Sequence, residues 1–111
     1  MWHRSSKYHA KKTVVDGITF DSRKEANRYL VLKGMEEDGS IEELRRQVRY
    51  ELVPAFDVDD KHYRPVYYVA DFVYVEDGKE VVEDVKGVMT DVYKLKSKLF
   101  ARRYGMSIKE T

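Results

Sequence analysis

The chain has 111 residues and a net charge of +1, with 42% hydrophobic and 37% charged residues, which is typical of one soluble domain and too little for two cores. The absence of cysteine excludes disulfides and thiolate metal sites and suits a reducing compartment. No apolar run approaches the roughly 20 residues that cross a bilayer, so we expect a cytosolic protein with no membrane role.

The first predicted elements are a basic arm and a hairpin. Residues 1–12 carry four cations and no acid and lack periodicity, which predicts a flexible arm before a single domain at 13–111. Residues 13–20 alternate loosely around the turn signal Asp16-Gly17, and this pattern predicts a small hairpin.

A helix and a connector come next. Ser22 and Glu25 have the spacing of a capping box, and apolar residues recur behind them until Asp38, so a helix is predicted over 22–37. Residues 41–46 are highly charged, and we expect them to form a connector with at most one helical turn.

The middle of the chain predicts strands. Residues 47–56 alternate as a strand, whereas residues 57–64 are polar and turn-like. Residues 66–75 are nearly all apolar, β-branched or aromatic, which predicts a buried strand. A hairpin turn at 76–79 joins it to another strand at 80–86.

A second helix begins at Thr90 or Asp91 and ends at Gly105, before a short final strand at 106–109. Its predicted inward residues are Val92, Leu95, Leu99 and Phe100. The order helix, three strands, helix, strand predicts an α/β (α+β) domain with a mixed sheet flanked by helices. Its first three strands form an antiparallel meander, and the last strand lies parallel to a neighbour.

Charge is sorted along the chain. Residues 1–12 carry +4 and residues 86–104 carry +5, while residues 13–85 hold ten basic and eighteen acidic residues, a net −8. Two basic segments around an acidic centre are the layout that a metal-dependent enzyme acting on a polyanion needs. The simpler alternative is a solvated helix face and a loose N-terminal arm.

Asp71 and Asp84 are acids at positions where the apolar pattern of two strands predicts burial. Residues two apart on a strand share a face, so Lys86 points the same way as Asp84, and Glu83 and Val85 point the other way. A turn centred on the Asp-Gly pair between these strands places Asp71 opposite or diagonal to Asp84 or its neighbour. Because buried carboxylates need a partner, two adjacent ones favour a divalent cation such as Mg²⁺.

Each of these residues has both a catalytic and a structural interpretation. A lysine beside a cation can position or deprotonate a water and stabilise charge on phosphorus. Alternatively, Asp71 and Lys86 form an ordinary cross-strand ion pair, and Asp84 faces solvent. Glu25 either caps its own helix or turns its carboxylate toward Asp71.

The combination of Glu25, Asp71, Asp84-Val85-Lys86 and a following basic helix resembles the core of the PD-(D/E)xK nuclease superfamily. The restriction-endonuclease-like αβββαβ core of that superfamily agrees with the element order predicted above. Four segments are also similar to a family of short phage and prophage proteins catalogued only as a domain of unknown function: residues 11–18, 20–26, 68–72 and 82–87. The chain is also similar to Holliday-junction-resolvase-like and transposon-end nucleases of the superfamily.

The resemblance implies a metal site formed by Asp71, Asp84, the backbone carbonyl of Val85, and Glu25. It implies that Lys86 is the catalytic lysine. One position departs from the superfamily pattern, since Ala70 stands where a proline often precedes the first aspartate.

We therefore expect a Mg²⁺- or Mn²⁺-dependent endodeoxyribonuclease, encoded by a phage or prophage, that hydrolyses phosphodiester bonds in branched or recombining DNA. The residues expected to contact DNA phosphates are Lys94, Lys96, Lys98, Lys11 and Lys12. A homodimer would let two sites address both strands. The alternatives are a non-catalytic nucleic-acid-binding module with structural acids, and a phage accessory protein whose partner is another protein.

Overall fold

A computed structural model describes residues 11–111, and most of the predicted arm, residues 1–10, lies outside them. The described chain begins with a hairpin of two short strands, β1 (Thr13–Val15) and β2 (Ile18–Phe20). Asp16 and Gly17 form its turn with positive φ angles of 53° and 75°, the geometry that an Asp-Gly pair accommodates in a tight hairpin. The predicted first hairpin is confirmed.

Helix α1 (Arg23–Glu37) follows and agrees with the predicted helix. The Ser22 hydroxyl accepts a hydrogen bond from the Glu25 N–H at 3.1 Å, which satisfies one of the free amides at the start of the helix. The helix ends at Asp38. Its inward face packs on the sheet through Ala26, Tyr29 and Leu32.

The central sheet has four strands in the order β3, β6, β7, β8. Their bounds are β3 (Glu42–Val53), β6 (Val66–Glu76), β7 (Lys79–Asp84) and β8 (Lys109–Glu110). β6 pairs antiparallel with both β3 and β7, and β8 pairs parallel with β7. This is the predicted meander with a final parallel strand, although that strand is Lys109–Glu110 and not residues 106–109. The mixed sheet of the predicted α+β fold is confirmed.

Two segment predictions were wrong, both because strand pairing outweighs local polarity. The charged residues 41–46, predicted as a connector, belong mostly to β3, which pairs with β6 from Glu42 onward. The polar residues 57–64, predicted as a turn, mostly form a second hairpin, made of β4 (Phe56–Val58) and β5 (Lys61–Tyr63).

Helix α2 (Asp91–Tyr104) is capped by the Thr90 hydroxyl and ends at Gly105, which has a φ of 67°. Of its predicted inward residues, Phe100 is buried and Leu99 packs against the core. Val92 and Leu95 were wrongly predicted inward and are 63% and 57% exposed. The helix faces the sheet with Tyr93 and Phe100, seven residues apart, which turns the Val92 and Leu95 positions outward.

The two helices cover opposite faces of the sheet. Phe72 and Tyr74 of β6 pack in the cluster under α1, whereas Tyr68 and Ala70 pack in the cluster under α2. Alternate residues of a regular strand share one face, so the pleat of β6 inverts at Asp71. In residues 11–111, no helix is both long and apolar enough to cross a bilayer.

Candidate active site

Asp71 and Asp84 meet where the ladder between β6 and β7 ends. The last pair, Phe72 with Glu83, continues to Asp71 opposite Asp84. The two carboxyl groups are close enough that the Asp84 carboxyl raises the pKa of Asp71. The backbone N–H of Val85 donates to Asp71 Oδ2 at 2.8 Å, which fixes the orientation of that carboxylate.

Lys86 completes a compact group on the α2 side of the sheet. Its Nζ lies 3.0 Å from Asp84 Oδ2 and 3.2 Å from the centre of the Tyr93 ring. The Tyr68 hydroxyl donates to the same Asp84 oxygen at 3.1 Å. The purely structural alternative therefore does not describe this arrangement, because Asp84 is buried and Lys86 pairs with it instead of with Asp71.

The Asp71 carboxylate is poorly compensated. Burial, and then the neighbouring Asp84 carboxyl, raise the pKa of Asp71 to about 8, although the Val85 N–H works in the opposite direction. No Lys, Arg or His within residues 11–111 forms an ion pair with Asp71. Such an environment favours the protonated form of Asp71. A divalent cation would also relieve the repulsion between the Asp71 and Asp84 carboxylates.

Glu25 lies near Asp71 and Asp84, but the three carboxylates do not form one cluster within the described residues. Burial and the nearby Asp21 raise the pKa of Glu25, and Arg46, whose guanidinium is 3.9 Å away, lowers it. Only half of the capping box forms, because no hydrogen bond in the described region joins the Glu25 carboxylate to the Ser22 N–H. In that region, no three His, Cys, Asp or Glu side chains group closely enough to hold a metal unaided.

Two carboxylates nevertheless fit a hard cation. Each uses its Oδ2 atom for contacts with the protein, and neither Oδ1 accepts a hydrogen bond from residues 11–111. Mg²⁺ characteristically takes one or two carboxylates and keeps several waters for a substrate phosphate. The Asp71 and Asp84 carboxylates therefore match that ion, with Glu25 as a neighbouring acid.

Glu83 shows how the chain treats a buried acid that has a structural role. Arg28 donates two hydrogen bonds to it, from Nε at 2.6 Å and from a terminal nitrogen at 3.0 Å. The hydroxyls of Tyr74 and Thr111 donate two more, at 2.7 and 3.0 Å. Burial favours the neutral acid, but the Arg28 and Tyr74 hydrogen bonds outweigh it and hold the pKa of Glu83 below its ordinary value. Asp71 lacks this compensation.

Sequence patterns missed four contributors to the site. Tyr68 was predicted only as part of a buried strand, and Tyr93 was not among the predicted inward residues of its helix, although the Tyr68 hydroxyl donates to Asp84 and the Tyr93 ring contacts Lys86. Arg46 lies in the segment that was predicted as a connector. Lys24 donates to the Lys86 carbonyl at 2.8 Å, and no sequence pattern indicated this contact.

The predicted DNA-binding lysines are not one cluster. Lys94 and Lys98 are exposed one helical turn apart on α2, and Lys96 is half-buried on another side of the helix. Lys12 pairs with Asp21 at 3.8 Å, where both side chains are exposed, and Lys11 is exposed beside it.

The fold and site together define a small mixed α+β domain with two adjacent carboxylates, Asp84 buried and Asp71 half-buried, and a lysine, where the ladder between two antiparallel strands ends. The chain belongs to the family described as "Protein of unknown function (DUF1064)", whose model matches residues 5–111. No curated protein and no solved structure matches the chain.

Proposed function

We propose that the protein is a divalent-metal-dependent DNA endonuclease of the PD-(D/E)xK type that hydrolyses phosphodiester bonds. The observation that carries the proposal is the adjacency of Asp71 and Asp84, with Lys86 Nζ 3.0 Å from Asp84. Two partly compensated carboxylates and an amine are the groups that metal-assisted phosphodiester hydrolysis requires.

The chain supplies the ligands and the amine. Asp71, Asp84 and the Val85 carbonyl would hold Mg²⁺ or Mn²⁺, with Glu25 as the further acid on α1. When bound, the ion supplies a Lewis acid and lowers the pKa of water. The Asp84 carboxylate and the Tyr93 ring hold the Lys86 ammonium at this point, where it would orient the attacking water and face negative charge on the phosphate.

Lys94 and Lys98 would contact backbone phosphates, since they are exposed on the helix that carries Tyr93. Lys96, Lys11 and Lys12 are weaker candidates by their positions. The similarity to phage and prophage proteins and to resolvase-like nucleases supports a phage role on branched or recombining DNA. A homodimer would present two sites to the two strands.

The test is cleavage of supercoiled plasmid and of a four-way junction with Mn²⁺ or Mg²⁺. Asp84→Asn and Lys86→Met are each expected to lower the cleavage rate about a hundredfold or more while retaining DNA binding. Asp77→Asn is the matched control, because Asp77 is an exposed acid in the turn between β6 and β7, and its positive φ suits asparagine. Full activity of Asp84→Asn would contradict the assignment of the site.

A non-catalytic nucleic-acid-binding module is the second candidate. One observation favours it: Asp84 already has Lys86 and Tyr68 as partners, and Glu25 does not complete a three-acid cluster. This candidate predicts DNA binding that falls with salt and no cleavage of either DNA form by the wild type with either ion. The same assay therefore separates the two functions.

A further inference from the structure

The second hairpin, residues 56–63, stands apart from the rest of the described chain. Neither β4 nor β5 packs against any other helix or strand of residues 11–111. An isolated two-stranded hairpin is only marginally stable in water. A hairpin that is presented in this way gains stability when a partner covers it.

One face of this hairpin is apolar apart from Lys61 and is uncovered. Phe56 pairs with Tyr63 and Val58 pairs with Lys61, so these four side chains share a face. The two rings stack with centroids 4.8 Å apart, yet Phe56 and Val58 remain 45% and 49% exposed. The opposite face carries polar residues and is suited to water.

The tip of the hairpin is acidic. Asp59 and Asp60 form the turn with φ angles of 51° and 60°, and neither pairs with a cation in the described part of the chain. Two adjacent carboxylates repel a phosphate backbone. The tip is therefore suited to a basic protein surface and not to nucleic acid.

The same chain carries a surface of the complementary kind. Leu52 of β3 and Leu99, Arg102 and Arg103 of α2 line a depression of about 450 Å³, which we call the α2 groove. Leu52 and Leu99 give it an apolar floor, and the two arginines give it positive charge. Arg103 lies 3.4 Å from the half-buried Glu51, and Arg102 pairs with no acid of residues 11–111.

We propose that two copies of the chain form a two-fold dimer in which the hairpin of each copy docks in the α2 groove of the other. The apolar face meets Leu52 and Leu99, and the Asp59-Asp60 tip meets Arg102 and Arg103. Leu52 lies close to Pro54, where the chain leaves β3 for the hairpin. Groove and hairpin base are thus neighbours in each copy, and a two-fold axis makes the same contact twice. The inference does not depend on nuclease activity.

The test is sedimentation velocity of the full chain over a concentration series. We expect a wild-type dimer, and a dissociation constant about tenfold or more weaker both for Val58→Asp and for the double variant Arg102→Glu/Arg103→Glu. Val14→Asp is the matched control, since Val14 is a 66% exposed valine on the other hairpin, and it should leave the dimer unchanged. Melting temperatures establish that each variant folds.

Reversing the charge on both sides makes the test specific to this geometry. Asp59→Lys/Asp60→Lys should weaken the dimer by itself and, combined in one chain with Arg102→Glu/Arg103→Glu, should restore association toward that of the wild type, because lysines then face glutamates. A wild type that stays monomeric at every concentration overturns the proposal, as does a combined variant that associates no more tightly than the arginine variant. Loss of DNA binding by Val58→Asp with no change in mass would identify the hairpin as a nucleic-acid contact instead. Asp84→Asn should remain dimeric, which separates this test from that of the proposed function.

Discussion

Asp71 is the residue at which the local geometry and the electrostatics of this domain both change. The pleat of β6 inverts there, and Gln47, which lies opposite on β3, has a left-handed φ of 54°. A non-glycine residue in that region costs on the order of 1–3 kcal/mol. The register of the ladder between β6 and β7 places Asp71 on the same side of the sheet as Asp84, and two carboxylates at one point are costly without a proton or a cation.

This environment predicts a stability that depends on pH in the metal-free protein. The ordinary pKa of 3.8 applies to Asp71 in the unfolded chain, and the pKa is about 8 in the folded one. Between these values the folded state binds more protons, so the contribution of Asp71 to stability falls as pH rises from about 4 to about 8. Asparagine keeps the Val85 N–H contact and carries no charge, so Asp71→Asn should lack this decline. Urea unfolding midpoints across that range measure it, and equal slopes for the variant and the wild type would contradict the argument.

At the scale of elements, Glu83 connects β7 to three other parts of the fold by hydrogen bonds. It lies on β7 and accepts hydrogen bonds from Arg28 of α1, from Tyr74 of β6 and from Thr111 after β8. The bonds from Arg28 hold α1 against the sheet at Glu83, which is the residue before Asp84. The position of Glu25, on the first turn of α1, relative to the carboxylate pair therefore depends on a structural ion pair.

Removing Arg28 leaves the buried Glu83 carboxylate with hydrogen bonds from Tyr74 and Thr111 but without a positive partner. We expect Arg28→Ala to lower the free energy of unfolding by about 3–5 kcal/mol, the range for breaking a buried pair. Lys33→Ala is a matched control on the same helix, because Lys33 pairs with Glu36 at the surface, where ion pairs contribute little. Chemical denaturation measures both. An Arg28→Ala variant as stable as Lys33→Ala would show that Glu83 does not depend on Arg28.

At the scale of the whole molecule, the site joins elements that are far apart in the sequence. β6 gives Asp71, β7 gives Asp84, α1 gives Glu25, and Tyr93 of α2 packs under Lys86. A ligand that binds only when these parts are assembled stabilises the entire fold.

Metal binding should therefore appear as global stabilisation. Mg²⁺ or Mn²⁺ at about 100 times its Kd would add about 2.7 kcal/mol to the free energy of unfolding, and the melting temperature of the wild type should rise accordingly. Asp71→Asn should show little or no rise, and the control Asp77→Asn should respond like the wild type. Thermal melts with and without the ion are sufficient. An equal rise in Asp71→Asn would place the ion elsewhere.

Much of the fold follows from local sequence patterns. The capping residues Ser22 and Thr90, the Asp-Gly turns and the terminal Gly105 act within a few residues of themselves, so both helices and the first hairpin were predicted from neighbouring positions. The segments at 41–46 and 57–64 were misread because their strands are stabilised by partners across the sheet or across a turn. The amino-acid composition of a segment does not indicate which strand it pairs with.

The sequence by itself determined that Asp71 and Asp84 are unusual, since an acid in an apolar strand is visible without any structure. Only the tertiary structure decided which of the nearby charges meet them. The turn between β6 and β7 already predicted Asp71 near Asp84 from residue spacing. In contrast, the packing of α2 places Tyr93 under Lys86, and Arg46 reaches Glu25 from a segment that was predicted as a connector. The folded core brings these last segments together, and residue spacing along the chain carries no record of their contacts.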